Sequence, residues 1–178
     1  QKYPANSDDF LPVIKIAQLR KGNTDGADRA SINVPSDYIV EDGDILFSWS
    51  GSLEVLVWCG GRGALNQHLF KVSSDRYPRW FYYLWTKEHL PDFQRIAAGK
   101  ATTMGHIQRK HLTDALTLVP PPMLMEIMTN YLAPLLSRIV TCAVEARTLA
   151  ALRDALLPKL MAGEVRVTQL EAIGEDIL

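Results

Sequence analysis

Residues 41–72 read EDGDILFSWSGSLEVLVWCGGRGALNQHLFKV, and this stretch decides the fold of the first part of the chain. It contains runs of aliphatic, aromatic and β-branched residues, separated by the turn signals Asp42-Gly43, Gly51-Ser52 and Gly60-Gly61. Gly51-Ser52 joins the first two runs into a candidate β-hairpin. Turns at intervals of about 8–12 residues indicate an antiparallel or mixed sheet. The predicted strands cover residues 44–49, 53–59 and 65–72.

Shorter elements flank this stretch. An aromatic-rich helix is predicted to begin at Pro78, because proline is favoured in the first turn of a helix. Its aromatic side chains favour a buried helix beneath the sheet, and an exposed protein-binding surface is the alternative. The other predicted elements are a strand at 13–16, helices at 78–88 and from Pro91 to Gly99, a helical turn or two within 106–112, and a strand at 116–119 that ends at three prolines.

A long helix is predicted after those prolines, over residues 123–162. This stretch lacks glycine, and apolar or small residues recur at alternating steps of four and three, the heptad pattern of a coiled coil. A helix of about 38 residues spans about 57 Å, so we expect it to project and pair with a second helix; packing along its own domain is the alternative. Pro134 predicts a kink, and Gly163 predicts a C-terminal cap. The predicted coiled-coil interface consists of Met128, Leu132, Leu135, Ile139, Cys142, Ala146, Leu149, Leu156 and Leu160.

The composition is that of a soluble globular protein. The 178 residues include 47% hydrophobic residues, and the net charge is −1, which excludes a disordered chain or a disulfide scaffold. Cys59 and Cys142 form no zinc motif and favour a reducing cytoplasm. We expect no membrane span, because no run of about 18–20 consecutive apolar residues occurs. The N-terminus has neither a signal segment nor Met, which predicts a chain that begins inside a longer gene product or after a processing cut.

These patterns predict an α+β protein. A β-rich domain with a few short helices is expected over residues 1–120, a long coiled-coil-type helix over 121–163 and a C-terminal tail over 164–178. The near-zero net charge of the whole chain argues against nucleic-acid binding. That argument weakens when the charges of the two parts are counted separately. Residues 1–120 hold 14 Lys and Arg against 13 Asp and Glu, whereas residues 121–178 hold 5 against 7.

Motifs for catalysis or metal binding are missing from the sequence. Gly99-Lys100 lacks the first glycine of a phosphate-binding loop and is followed by Ala101. The histidines form no H-E-x-x-H, and the acidic residues form no cluster with a nearby lysine. We therefore expect no catalytic residue, no cofactor and no metal.

One basic window is the positive signal. Residues 95–111, RIAAGKATTMGHIQRKH, contain four Lys and Arg and no acidic residue. Small residues allow close approach to a polyanion, and Thr, Gln and His donate to phosphates or base edges. A second polar set lies on and beside the hairpin, where Asn and Gln suit adenine and Arg suits guanine. A solvated charged surface is the alternative interpretation.

Five blocks of the sequence, in their order and spacing, resemble the specificity (S) subunit of type I restriction–modification systems. A single block such as GDILFS would be a weak signal, but the five together extend from residue 11 to residue 167. The blocks are LPVIKIAQL (11–19), EDGDILFSWSGS (41–52), ALNQHLFKV (64–72), AAGKATTMGHIQRKHLTDALTLVPPPMLME (97–126) and LRDALLPKLMAGEVRV (152–167).

The resemblance implies one target recognition domain followed by one conserved spacer helix. In that family a recognition domain reads one half of a bipartite site in double-stranded DNA, and the spacer helices pair as an antiparallel coiled coil. The S subunit carries no catalysis; it directs adenine methylation by modification (M) subunits and cleavage by restriction (R) subunits in the cytoplasm. The implied partners are thus DNA, M and R subunits, and a second recognition domain or a second copy through the helix, with no membrane.

Mapped onto the family's pattern, Gly99 and Ala101 allow close backbone approach, Lys100 binds phosphate, and Ile107 and Leu112 lie in the core. Base-reading residues vary within the family, so the other candidates rest on chemistry and position. A non-catalytic assembly module built on the heptad helix is the alternative function, and a natural half-subunit and a fragment both stay open. The candidate DNA-binding residues are Lys15, Gln18, Arg20, Lys21, Ser48, Ser50, Ser52, Arg62, Asn66, Gln67, His68, Gly99, Lys100, Thr102, Thr103, His106, Arg109 and Lys110.

Overall fold

The computed structural model describes residues 3–4, 9–99 and 105–164 of the chain. Within these residues, one sheet has four strands, another has three, and there are four α-helices. The predicted α+β class is therefore confirmed. In chain order the elements are β1 (Phe10–Ile14), α1 (Ile16–Lys21), β2 (Arg29–Ser31), β3 (Ile39–Val40), β4 (Ile45–Ser48), β5 (Val55–Val57), β6 (Gly63–Leu65), β7 (Leu69–Val72), α2 (Arg79–Ala98), α3 (Arg109–Thr113) and α4 (Pro122–Met161).

The hairpin forms as predicted in the three-stranded sheet. β4 pairs antiparallel with β5 and with β7, so Ile45 lies opposite Val57 on one side and Val72 on the other. All four residues of β4 are buried. A central strand covered on both faces needs apolar residues at consecutive positions, which explains the continuous run ILF at its start.

The predicted single strand at 65–72 is wrong, because this stretch is divided between the two sheets. β6 pairs parallel with β1 and antiparallel with β3, whereas β7 pairs with β4. Oδ1 of Asn66 accepts a hydrogen bond from the N–H of His68 at 3.1 Å. Asparagine favours such turns because its side chain bonds the backbone two residues further on. The Asn66–His68 turn thus carries the chain from the mixed sheet to the antiparallel one.

The predicted strand at 13–16 ends earlier than expected, and a helix that was not predicted follows it. β1 ends at Ile14, and α1 begins two residues later. The N–H of Gly22 donates to the carbonyl of Gln18 at 2.9 Å, and its φ of +71° ends α1 in the left-handed conformation. Glycine adopts this conformation without a steric penalty, so Gly22 is a C-terminal cap that explains the short helix.

α2 runs through Pro91, so the predicted division into two helices is wrong. An interior proline costs about 3 kcal/mol, because it removes one backbone hydrogen bond and crowds the preceding turn. Burial on both sides of Pro91 offsets this cost: Phe81 and Phe93 are only 5% and 4% exposed. The tertiary contacts of both halves therefore decide the length of α2, and Gly99 follows its last residue as predicted.

The aromatic residues at the start of α2 include core residues, which agrees with the interpretation of a buried helix. Trp80 and Phe81 are buried in one cluster with Leu136 of α4. The rings of Trp80 and Phe81 meet edge to face, with their centroids 5.6 Å apart. The predicted core position of the helix is therefore confirmed for these two side chains.

The predicted strand at 116–119 is wrong. α3 (Arg109–Thr113) lies where a helical turn is predicted within 106–112 and ends one residue beyond it, and the chain then runs to α4 without strand pairing. Leu116 and Leu118 are 85% and 81% exposed. β-propensity describes how side chains fit a pleated, half-buried surface, and no described strand lies beside this segment to provide one.

The long helix is confirmed, and α4 begins and ends within one residue of the predicted bounds. Its glycine cap also forms. Gly163 has a φ of +71°, and the N–H groups of Gly163 and Glu164 donate to the carbonyls of Leu160 and Lys159 at 3.1 and 2.9 Å. This pair of bonds is the Schellman motif, which satisfies the last free carbonyls of a helix.

Each half of α4 belongs to a different compact unit, because the first unit ends at Thr141 and the second begins at Cys142. The domain boundaries expected at residues 120 and 163 remain predictions. By length and composition alone, α4 could also cross a membrane. A helix that pairs with another helix through an apolar seam meets the same two criteria.

Candidate nucleic-acid interface

Three segments meet where β4 ends. The N–H of Trp49 donates to the carbonyl of His68 at 3.3 Å, and the N–H of Ile107 donates to the carbonyl of Trp49 at 3.1 Å. Ser50 forms an antiparallel bridge with His106. The chain just after β4 is therefore held between the turn at 66–68 and residues 105–107 of the basic window. We call residues 48–52, 66–68 and 105–107 the loop junction.

Ser50 and His68 form the polar centre of the loop junction. Oγ of Ser50 is hydrogen-bonded to Nδ1 of His68 at 2.9 Å. The indole ring of Trp49 lies against the imidazole, with the ring centroids 5.7 Å apart. These two contacts fix the orientation of His68, and no hydrogen bond of its Nε2 is found among the residues that the structure describes.

Close backbone packing also shapes the loop junction. The N–H of Gly51 donates to the carbonyl of Gly105 at 2.9 Å. A Cβ on Gly105 would lie 2.6 Å from the carbonyl oxygen of Ala97, so any side chain there would displace the segment. An open cavity of about 380 Å³ adjoins this contact. It is lined by Gly51, Ser52, Leu53, Glu54, Gln94, Ala97, Ala98 and Gly105.

Some predicted contact residues are buried and support the fold instead. Gln18 is 5% exposed, and its Oε1 accepts a bond from the N–H of Lys15 at 3.4 Å. Ser48 is fully buried; its hydroxyl donates to the carbonyl of Ser52 at 2.6 Å and accepts from the N–H of Glu54 at 2.7 Å. Buried polar groups need such partners. Ser50 is likewise only 7% exposed, and its hydroxyl is bonded to His68. We therefore leave Gln18, Ser48 and Ser50 out of the interface proposed below.

Several predicted cations are paired with carboxylates. Nζ of Lys15 lies 2.5 Å from Oδ2 of Asp28, and Nε of Arg20 lies 3.1 Å from Oε1 of Glu54. All four side chains are at least partly exposed, so each pair contributes little stability and a phosphate can replace the carboxylate. The Arg20 pair adjoins the loop junction, because Glu54 donates to Ser48 and lines the cavity described above.

Arg62 lies away from the loop junction. It precedes β6, whereas Asn66 follows that strand, and its Nη1 is 3.5 Å from Oε1 of Glu41. In the basic window, Arg95 forms an ion pair with Asp92. Arg95 therefore contributes less to the positive potential of the window than an unpaired arginine would.

Arg109 and Lys110 are the exposed cations nearest to the loop junction in sequence. They begin α3, two residues after the bond between Ile107 and Trp49. No salt bridge to either is found among the described residues. Among the predicted DNA-binding residues that the structure describes, the exposed ones are Lys15, Arg20, Lys21, Ser52, Arg62, Gln67, Gly99, His106, Arg109 and Lys110. Lys100, Thr102 and Thr103 lie outside the described residues.

The residues implied by the family's pattern have mixed outcomes. Ile107 is buried, and Leu112 packs against the same core cluster, so both predicted core positions are confirmed. Gly99 caps α2, with its N–H donating to the carbonyl of Arg95 at 3.1 Å. Lys100 and Ala101 lie outside the described residues.

The predicted seam of α4 has two different surroundings. Met128 and Leu132 pack against the cluster of Trp80, Phe81 and Leu136, so this part of the seam serves the domain core. Further along, Leu135, Ile139 and Leu149 are 61%, 58% and 58% exposed. Cys142 and Ala146 are also exposed, and Leu156 and Leu160 are half-buried.

Sequence reasoning missed Trp49 and Gly105 as parts of the site. Trp49 was read only as the end of an apolar strand, yet its indole N–H donates to the carbonyl of Gln67 at 3.0 Å. A tryptophan between two serines at a strand end was the available signal, because a tryptophan at the border of the core usually directs its indole N–H to an acceptor. Gly105 had no local signal, since its close neighbour is Ala97, eight residues earlier in the chain.

The described residues thus form an α+β domain with a polar loop junction flanked by cations, and a long helix with exposed apolar side chains. They contain no group of three or more potential metal ligands. Such a surface is suited to binding a polar, extended partner.

Two curated proteins are similar to this chain, and both are type I restriction enzyme specificity subunits. The EcoBI specificity subunit of Escherichia coli is 29% identical over 138 residues, which are 75% of this chain and 28% of that protein. The MjaIX specificity subunit of Methanocaldococcus jannaschii is 25% identical over 168 residues, 90% of this chain and 39% of that protein. No family model matches the chain. The resemblance to type I specificity subunits is confirmed, and the chain spans well under half the length of these two relatives.

Proposed function

We propose that this chain recognises double-stranded DNA as the specificity subunit, or half of one, of a type I restriction–modification system in the cytoplasm. The observation that carries the proposal is its similarity, over 75% and 90% of its length, to two proteins named as type I specificity subunits. The exposed amide of Gln67 and the cations Arg109 and Lys110 support it, because base edges and phosphates need these two kinds of group.

The two kinds of group have separate tasks. Lys and Arg on phosphates supply affinity that falls steeply as salt rises, because each contact releases counterions. Gln67 and His68 supply donors and acceptors for base edges in the major groove. Because residues 1–120 carry 14 Lys and Arg against 13 Asp and Glu, the domain binds DNA weakly alone and depends on its partner subunits for affinity.

The partners follow from the same proposal. The chain has no catalysis of its own and positions M subunits for adenine methylation and R subunits for cleavage. The exposed seam at Leu135, Ile139 and Leu149 receives a second helix, from another recognition domain or a second copy. Burying these apolar side chains against a helix stabilises the assembly, and no membrane is involved.

A binding experiment across a salt series tests the proposal. The full chain is mixed with random and selected duplexes, with and without the M subunit. We expect the double variant Lys100→Ala/Arg109→Ala to weaken binding to all sequences and to reduce the salt dependence by about one counterion per lost contact. Arg62→Ala is the matched control, because Arg62 lies at the other end of β6 and pairs with Glu41. If sequence changes never alter the affinity of the wild-type chain by more than about twofold, sequence recognition is wrong.

The alternative function, a non-catalytic assembly module, rests on the exposed seam of α4. Under that alternative, the loop junction is a protein-binding or solvated surface. The double variant separates the two functions: loss of DNA binding with unchanged association supports DNA recognition, whereas no effect on either supports the assembly module.

A further inference from the structure

Gln67 stands at the tip of a turn whose backbone is fixed from several directions. The carbonyl of Gln67 accepts the indole N–H of Trp49 at 3.0 Å. Before it, the N–H of Asn66 donates to the carbonyl of Ile14 at 3.1 Å, and after it, the N–H of His68 donates to Oδ1 of Asn66 at 3.1 Å. The backbone of residue 67 therefore has its position set before any ligand arrives.

The side chain of Gln67 is the part of this turn left available. It is exposed, whereas Asn66 and His68 are half-buried and use side-chain atoms in the bonds described above. No hydrogen bond of the Gln67 amide is found within the described residues. A primary amide offers one donor and one acceptor side by side, which matches N7 and N6–H₂ of adenine in the major groove.

A hollow of about 230 Å³ lies beside this amide. Gln67 and Asn66 form part of its rim, and most of its other lining is aliphatic, with two tyrosines. It is open enough to admit a methyl group and apolar enough to favour one. The remaining lining residues are Tyr3, Val13, Ala30, Val34, Tyr38, Ala64 and Leu65.

We infer that this site reads an adenine–thymine base pair through the major groove. Gln67 hydrogen-bonds adenine, and the hollow receives the C5-methyl group of the paired thymine. In the major groove, only an A·T pair presents an N7 and N6–H₂ edge next to a methyl group. The inference rests on the proposed function, and it names the base that one part of the interface recognises.

Trp49 is the positioning residue of this site. Its indole lies against the ring of His68 and stacks on Phe70, with centroids 5.7 and 6.1 Å away. Its N–H holds the carbonyl of Gln67. Side chains that read bases discriminate best when their supporting groups are rigid, so Trp49→Phe should weaken discrimination at the same base pair that Gln67→Ala affects.

Selection of duplexes from a random pool tests the assignment, using the full chain with the M subunit. The wild-type chain should select a site that contains an A·T pair, and Gln67→Ala should lose the preference at that pair alone. Asn130→Ala is the control: Asn130 carries an exposed primary amide on α4, outside the loop junction and the basic window, and its loss should leave that preference unchanged. The wild-type chain should favour A·T there by about fivefold or more.

Modified bases then separate the two contacts. Replacing the adenine by 7-deazaadenine removes N7 and should weaken the wild-type chain severalfold, with no further loss for Gln67→Ala. Replacing the thymine by deoxyuridine removes the methyl group and should weaken both proteins alike.

Each outcome decides a different question. A wild-type chain that selects no sequence overturns the proposed function, and this inference with it. A selected site that Gln67→Ala leaves unchanged, or an equal loss of both proteins on 7-deazaadenine, overturns the inference alone. If deoxyuridine does not weaken binding, the hollow does not receive the methyl group, and A·T recognition as stated is contradicted.

Discussion

The indole N–H of Trp80 donates a hydrogen bond to Oγ1 of Thr129 at 3.0 Å, and this bond joins α2 to the first half of α4. The Thr129 hydroxyl donates in turn to the carbonyl of Met125 at 2.7 Å. Trp80 is only 4% exposed and packs with Leu136. The first half of α4 is therefore built into the core of the first compact unit.

This bond predicts a specific cost for Thr129→Val. The substitution keeps the shape of the side chain but leaves the buried N–H of Trp80 without an acceptor. We expect the free energy of unfolding to fall by about 1–3 kcal/mol, the usual cost of an unsatisfied buried donor. Urea unfolding followed by circular dichroism measures it. Thr148→Val is the control, because Thr148 is exposed and its hydroxyl bonds only the carbonyl of Val144; equal effects of the two variants would contradict the argument.

The two surroundings of α4 predict opposite results for two lysine substitutions. Leu149→Lys places a charge on the exposed seam, so it should abolish association through the helix while the first unit stays folded. Leu136→Lys places a charge among Trp80 and Phe81 and should unfold the first unit, because an unpaired buried charge is strongly destabilising. Sedimentation gives the mass, and circular dichroism gives the folded fraction.

Two results would show that the seam is not an interface. In the first, the wild-type chain self-associates and Leu149→Lys has the same mass. In the second, neither protein associates with itself or with an M subunit. In either case α4 packs within its own chain.

Local patterns explain which parts of the fold were predictable. The hairpin and α4 depend on turn glycines and heptad spacing, which neighbouring residues determine. The change of sheet at Asn66–His68 and the passage of α2 through Pro91 depend on contacts between distant residues. No local pattern records such contacts, and tertiary packing overrides propensity where they are strong.

The candidate site shows the same division. Residue chemistry identified Gln67 and His68, and the fold brings them to one turn beside Ser50. It also selected Gln18, Ser48 and Ser50, which are buried, because a polar residue type does not distinguish a contact residue from one that satisfies other groups within the fold. The burial of a polar side chain depends on the whole fold.

The contact between Gly51 and Gly105 predicts that Gly105→Ala will disturb the loop junction. The new Cβ would lie 2.6 Å from the carbonyl oxygen of Ala97, so residues 105–107 must move. Overpacking of this kind costs about 1–3 kcal/mol, and DNA affinity should fall with it. Gly99→Ala is the matched control at the other end of the same connection, because its Cβ would have its nearest neighbour at 3.6 Å, an ordinary contact. Thermal unfolding should change for Gly105→Ala only, and a DNA-binding assay compares Gly105→Ala with the wild-type chain.

The pairing of Arg20 with Glu54 predicts a gain of DNA affinity. Glu54→Gln keeps the size of the side chain, removes the carboxylate charge 3.1 Å from Nε of Arg20 and leaves the arginine for phosphate. We expect binding at low salt to tighten by roughly twofold to fivefold, and the gain to shrink as salt screens the charges. Glu41→Gln changes the net charge equally but releases Arg62, at the other end of β6. Fluorescence anisotropy with one labelled duplex compares the two variants. Equal gains in affinity would contradict the argument, because net charge alone would then determine the affinity and the position of Arg20 would not matter.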